Sequence, residues 1–132
     1  MTLQREAILI IDFGSQYTQL ITRRVREANV YSEIHAHTIT LDEVKHLNPK
    51  GIILSGGPMS VYDDDAPALD PEIIKTGIPV LGICYGLQFI CKVFGGKVEP
   101  AADREYGKAP LNIITDSKLF EGVKKSSIAW MS

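Results

Sequence analysis

Three short apolar runs constrain this chain more than any other feature. Ala7-Ile8-Leu9-Ile10-Ile11, Gly51-Ile52-Ile53-Leu54 and Ile78-Pro79-Val80-Leu81-Gly82-Ile83 contain no charged residue, and each runs into a turn. A strand wet on one side alternates polar and apolar residues. These runs do not alternate: the first reads as a strand buried on both faces, the second as another buried strand, and the third as the strand that leads into the sharpest turn. Helix-period patterns lie between them. Tyr17, Leu20, Ile21, Val25 and Ala28 form one apolar stripe, with Arg23, Arg24, Arg26 and Glu27 on the wet side and Asn29 as a stop. Thr40 and Glu43 have capping-box spacing and open a short helix that Asn48-Pro49 closes. Asp70-Pro71 opens another, which Gly77 ends. Val30 to Ile34 reads as a further strand, less apolar and so nearer a sheet edge. The alternation over residues 7–95 predicts an α/β fold with a parallel sheet and helices on both faces. After Gly95-Gly96 the signals weaken to short strands at Lys97–Glu99, Ala109–Thr115 and Ser127–Met131.

With 132 residues, the chain is long enough for one domain with a real core and too short for two. Fourteen basic against sixteen acidic residues leave a net charge of −2, which points away from nucleic acid and membrane surfaces as partners. No apolar run approaches a membrane span, and Met1 to Glu6 has no signal-peptide core. Cys84 and Cys91 are seven apart, two helical turns and too far for a disulfide. Neither cysteine count nor spacing suggests a metal site, and the expected compartment is the reducing cytoplasm.

In parallel sheets, ligands bind beyond the carboxyl ends of the strands. Asp12-Phe13-Gly14-Ser15, Ser55-Gly56-Gly57-Pro58 and Gly82-Ile83-Cys84-Tyr85-Gly86 all fall at such ends, and their convergence would build one site. Gly-x-Cys-x-Gly between a strand and a helix has the form of a nucleophile elbow, with Cys84 at the turn where helix dipoles favour negative charge. The competing reading is a small cysteine in an apolar core. A thiol attacking a carbonyl needs backbone N–H donors aimed at the developing oxyanion. Gly56-Gly57 and the Tyr85 N–H are candidates, although Gly-Gly-Pro also makes an ordinary turn. Gln88, one turn after Cys84, either reads a substrate amide or carboxylate or is a surface helix residue. The histidines, His35, His37 and His46, all precede Cys84 and read as surface residues, which leaves the thiol without a general base. Asp63 to Asp65 reads as a solvated loop, and Arg104-Glu105-Tyr106-Gly107 as a charged turn.

Taken together, these residues resemble the N-terminal domains of the glutamine-hydrolysing GMP synthases, which are class I glutamine amidotransferases. The resemblance rests on Asp12-Phe13-Gly14-Ser15-Gln16-Tyr17-Thr18-Gln19-Leu20-Ile21 and Arg23 to Glu27. It continues through Ile53 to Pro58, Gly82 to Gln88 and Arg104 to Gly107. It implies a flavodoxin-like three-layer sandwich with a mostly parallel central sheet, of which residues 1–132 are a part. It also implies that Cys84 forms a thioester with glutamine and releases ammonia. The backbone N–H groups of Gly57 and Tyr85 would form the oxyanion hole, and Gly56 and Gln88 would hold substrate. The catalytic histidine and glutamate, and a synthetase domain that uses ATP and Mg2+ to aminate XMP, are expected beyond Ser132. This chain is therefore expected to be a portion of a longer cytoplasmic, homodimeric polypeptide. Such a portion would be inactive alone and would hold no cofactor or metal of its own.

Two other classes fit parts of the pattern. One is a flavodoxin-like module whose Gly14-Ser15 turn cradles an anion, leaving Cys84 incidental. The other is the elbow-cysteine peptidases and hydratases, which usually carry histidine where this chain has Tyr85.

Overall fold

β1 (Ala7–Asp12) sits inside the sheet because it is apolar on both sides; Leu9, Ile10 and Ile11 are each at most 1% exposed. The computed structural model describes residues 6–57, 64–99 and 107–131. β1 pairs in parallel with β2 (Tyr31–Ala36) on one side and β3 (Gly51–Leu54) on the other. β4 (Val80–Gly82) pairs in parallel with β3, and the strand order is β2-β1-β3-β4. Single backbone bonds extend that last pairing at both ends. Ile52 N–H donates to Pro79 O and Ile83 N–H to Leu54 O, each at 2.9 Å. The expected parallel sheet is present, with the less apolar β2 at its edge.

α1 (Thr18–Glu27) joins β1 to β2, and α2 (Leu41–Leu47) joins β2 to β3. A 3-10 turn over Pro71–Lys75 precedes β4, and α3 (Tyr85–Val93) follows it. The chain reverses direction across the sheet after β2, so right-handed crossovers put α1 and α2 on opposite faces. The alternation along β1 agrees. Leu9 and Ile11 join Val44, Ile52, Leu54, Ile73, Tyr85 and Phe89 in one core cluster, while Ile10 is buried on the other face. The expected caps form. Thr40 Oγ1 accepts from Glu43 N–H at 3.2 Å, and Asp70 Oδ1 from Glu72 N–H at 3.0 Å.

The stripe expected on α1 is wrong by one residue step. Tyr17 is 65% exposed and Leu20 42%, whereas Thr18 and Thr22 are buried, with Ile21 and Val25 half-buried beside them. Hydrogen bonding explains the rotation. Thr22 Oγ1 donates to Thr18 O at 2.9 Å, and buried Ser32 Oγ on β2 donates to Thr22 O at 3.3 Å. This seam of satisfied hydroxyls outweighs the pull of two larger apolar side chains.

These elements form one compact unit, Met1–Val98; the second unit is Glu99–Ser132. In the second, β5 (Gly107–Asn112) and β6 (Ser126–Met131) pair antiparallel, from Gly107 opposite Met131 to Asn112 opposite Ser126. Two of the three late strands are thus present, the first starting two residues earlier than expected. Residues 97–99 are not a strand. Gly96 N–H donates to Cys91 O at 2.8 Å, and Lys97 O accepts from Cys91 Sγ at 3.9 Å, so the chain stays against the end of α3. Pro58, Asp63 and Arg104-Glu105-Tyr106 lie outside the described residues.

Candidate active site

The loops that follow β1, β3 and β4 meet at Gly56. A Cβ built there would lie 3.3 Å from Cys84 Cβ and 3.7 Å from Ser15 Oγ. The three stretches that the sequence assigns to strand ends are therefore brought together in space.

Cys84 occupies the turn between β4 and α3 with φ 52° and ψ −113°, backbone angles that favour glycine. Its side chain is exposed rather than part of the apolar core. The bracketing glycines make the turn possible. A Cβ on Gly86 would collide with the backbone carbonyl of Leu54, and one on Gly82 would come within 2.8 Å of Gly86. The helix then closes on itself at once: Gly86 N–H donates to Ile83 O at 2.9 Å and Leu87 N–H to Cys84 O at 3.0 Å.

Tyr85 directs its backbone and its ring to different tasks. The ring is buried, packs on Phe13 at 4.9 Å between centroids, and donates its hydroxyl proton to Pro67 O. Phe13 also packs on Phe89 at 6.0 Å and stacks on His37 at 6.2 Å. Gly57 lies against the backbone of Phe13, where a Cβ would stand 2.7 Å from its carbonyl oxygen. Gln88 is half-buried one turn along α3 from Cys84.

Ser55 and Thr18 join the first two loops. Ser55, 0% exposed, donates its hydroxyl proton to Ile11 O at 2.7 Å and accepts from Phe13 N–H at 3.4 Å. Thr18 Oγ1 lies 3.2 Å from both Ser55 Oγ and Asp12 Oδ1. Asp12 Oδ1 also accepts from Gly14 N–H at 2.8 Å, and Ser15 Oγ from Tyr17 N–H at 3.0 Å. The Gly14-Ser15 turn is thus already occupied by the protein's own carboxylate and hydroxyl, which disfavours an anion there. Thr18 and Ser55 both fall within the motif stretches, but nothing in the sequence links two residues 37 apart. The local signal is two threonines at i and i+4 on a helix, which the apolar stripe hides.

His46 is exposed on α2, and His35 sits in β2 opposite Ile11. His37 is more than a surface residue. Its ring lies on Phe13, and its Nδ1–H donates to Ala68 O at 3.3 Å. A carbonyl only accepts, so that nitrogen carries the proton. Among the described residues no group of three His, Cys, Asp or Glu converges on a metal position, and no helix is long and apolar enough to cross a membrane.

The family model for glutamine amidotransferase class-I matches residues 9–132. The chain belongs to that family. Among its amidotransferase relatives, it is 59% identical over 132 residues to the glutamine-hydrolysing GMP synthase of Staphylococcus saprophyticus, covering 100% of this chain and 26% of that one. It is 59% identical over 129 residues to the Listeria innocua enzyme of the same name, covering 98% and 25%. The crystal structure of a GMP synthase-type protein from Thermoplasma acidophilum superposes with a TM-score of 0.81 at 30% identity. It covers 98% of this chain and 65% of that one. This amidotransferase chain thus spans about a quarter of the length of the curated relatives it matches. The fold of the solved relative agrees with the expected sandwich.

Proposed function

We propose that this chain carries the nucleophile of a glutaminase, with Cys84 attacking the side-chain carboxamide of glutamine. The carrying observation is the backbone at Cys84, held at φ 52° with the side chain exposed and Gly56 against its Cβ. Strain of this kind persists where the surroundings over-determine it, and it clusters at working sites. In the attack, a C–S bond forms and the carbonyl π electrons move to oxygen. The N–H groups of Gly57 and Tyr85 are assigned to that oxyanion, with Gly56 and Gln88 flanking the substrate. Collapse of the oxyanion expels ammonia once the nitrogen has taken a proton, leaving a γ-glutamyl thioester. Water then attacks the thioester, and glutamate and the thiol are released.

The general base and its carboxylate partner are assigned to polypeptide beyond residue 132, because the described residues show no histidine hydrogen-bonded to Cys84, His37 bonding Ala68 O instead, and the relatives extend well past this length. The longer relatives, glutamine-hydrolysing GMP synthases, support a synthetase portion beside this one, and the remainder of the reading rests on the resemblance. Ammonia would pass to a synthetase domain that binds ATP with Mg2+ and converts XMP to GMP, in a homodimeric cytoplasmic enzyme.

Labelling with a glutamine-shaped chloroketone tests the assignment. Modification of Cys84 in preference to Cys91, blocked by excess glutamine, is expected. Equal labelling of both thiols, or labelling indifferent to glutamine, overturns it. Hydrolysis of glutamine is expected only when the missing base is supplied. Turnover by residues 1–132 alone would overturn the assignment of that base.

A further inference from the structure

We infer that Ser55 and Thr18 are positioning residues that set the location of the oxyanion donors, an inference that rests on the glutaminase reading. The need arises where β1 and β3 part company. Up to Ile11 the two strands are held by their ladder, and Ser55 N–H still donates to Ile11 O at 3.1 Å. Beyond that point the side chain of Ser55 takes over the role of the ladder. Its hydroxyl donates to the same Ile11 carbonyl at 2.7 Å and accepts from Phe13 N–H at 3.4 Å. Phe13 is 2% exposed, so no water replaces that acceptor if it is removed.

The next two residues are the ones whose position matters. Gly56 is packed against Cys84 and Gly57 against the Phe13 carbonyl. Tyr85, bearing the second donor, leans its ring on the same Phe13. Displacing Phe13 therefore moves both donors relative to the thiol. Thr18 completes the arrangement from α1. Its Oγ1 lies 3.2 Å from Ser55 Oγ and from Asp12 Oδ1, and its single proton serves one acceptor at a time, holding the start of α1 against Ser55 or against the end of β1 next to Phe13. Neither hydroxyl touches substrate; each acts through backbone that does.

The test compares two electrophiles on the same chain. A glutamine-shaped chloroketone seats its carbonyl in the site, where the donors polarise it and speed capture of the thiol, whereas iodoacetamide has no glutamine-shaped part to seat it there and reports the reactivity of the thiol alone. In Ser55→Ala the maximal rate of Cys84 capture by the chloroketone is expected to fall about tenfold or more, the range set by loss or misplacement of a donor. The half-saturating concentration and the iodoacetamide rate should stay unchanged. Thr18 separates bonding from packing: Thr18→Val keeps the shape and should lose rate, while Thr18→Ser keeps the hydroxyl and should retain it. Equal losses in the two Thr18 variants, or parallel losses with iodoacetamide, overturn the positioning role. If the unaltered chain already fails to prefer the chloroketone at Cys84, the glutaminase reading falls first. Unchanged Ser55→Ala rates in a chain that does prefer it overturn this inference alone.

Discussion

Gly56 and Cys84 touch so closely that a Cβ on the glycine would stand 3.3 Å from that of the cysteine. The contact is tighter than most Cβ contacts, and both partners are held by backbone, so neither yields easily. Gly56→Ala is expected to lower stability by about 1–2 kcal/mol, as overpacking does. It should also slow capture of Cys84 by the chloroketone. A denaturant titration alongside the labelling rate checks both, and an unchanged rate would mean that Gly56 does not border the reacting atoms.

Cys84 should be replaceable with a gain in stability. Its left-handed φ costs about 1–3 kcal/mol for a residue with a Cβ, and glycine relieves this while adding about 0.5–1 kcal/mol of unfolded-state entropy. Cys84→Gly is therefore expected to unfold at a higher urea concentration than the parent chain, and Cys84→Ala is not. Equal midpoints for the two variants would count against strain at the elbow.

Gly86 faces the backbone of Leu54, which cannot swing aside as a side chain can. Gly86→Ala should destabilise the chain by about 2–3 kcal/mol or more, because α3 has to lift off β3 to admit the methyl group. Thermal unfolding gives the magnitude. Gly95→Ala provides the contrast, since a Cβ there meets nothing within 4 Å and only its φ of 84° opposes the change.

Tyr85→Phe keeps the ring against Phe13 and removes the donor to Pro67 O. A loss of about 1 kcal/mol is expected, the net contribution of one such hydrogen bond. Tyr85→Leu should cost more, since it also removes the aromatic contact. The two unfolding free energies, measured together, separate bond from packing.

The sheet is legible in the sequence because three of its four strands are apolar throughout, even though β4 stands last in the order with Leu81 40% exposed. The position of Cys84 is legible for a related reason: glycines at 82 and 86 announce a turn too tight for side chains. The face that α1 presents is not legible. Tyr17 and Leu20 carry more apolar surface than Thr18 and Thr22, and only the distant hydroxyl of Ser55 and the hydroxyl of Ser32 decide against them. The role of His37 is hidden for the same reason, since the ring it stacks on and the carbonyl it binds lie 24 and 31 residues away. Apolar periodicity reports what a segment buries, but not which polar atoms it meets after burial.

The elbow also bears on how this position evolves. At residue 84 the backbone suits glycine, yet the chain holds cysteine. A single-base change in a cysteine codon gives glycine, and that change is the one expected to strengthen the fold. On the proposed glutaminase reading, the thiol is held at this position at a cost to the fold. A descendant released from thiol chemistry should keep the parallel sheet and lose this cysteine early, with glycine as its first replacement.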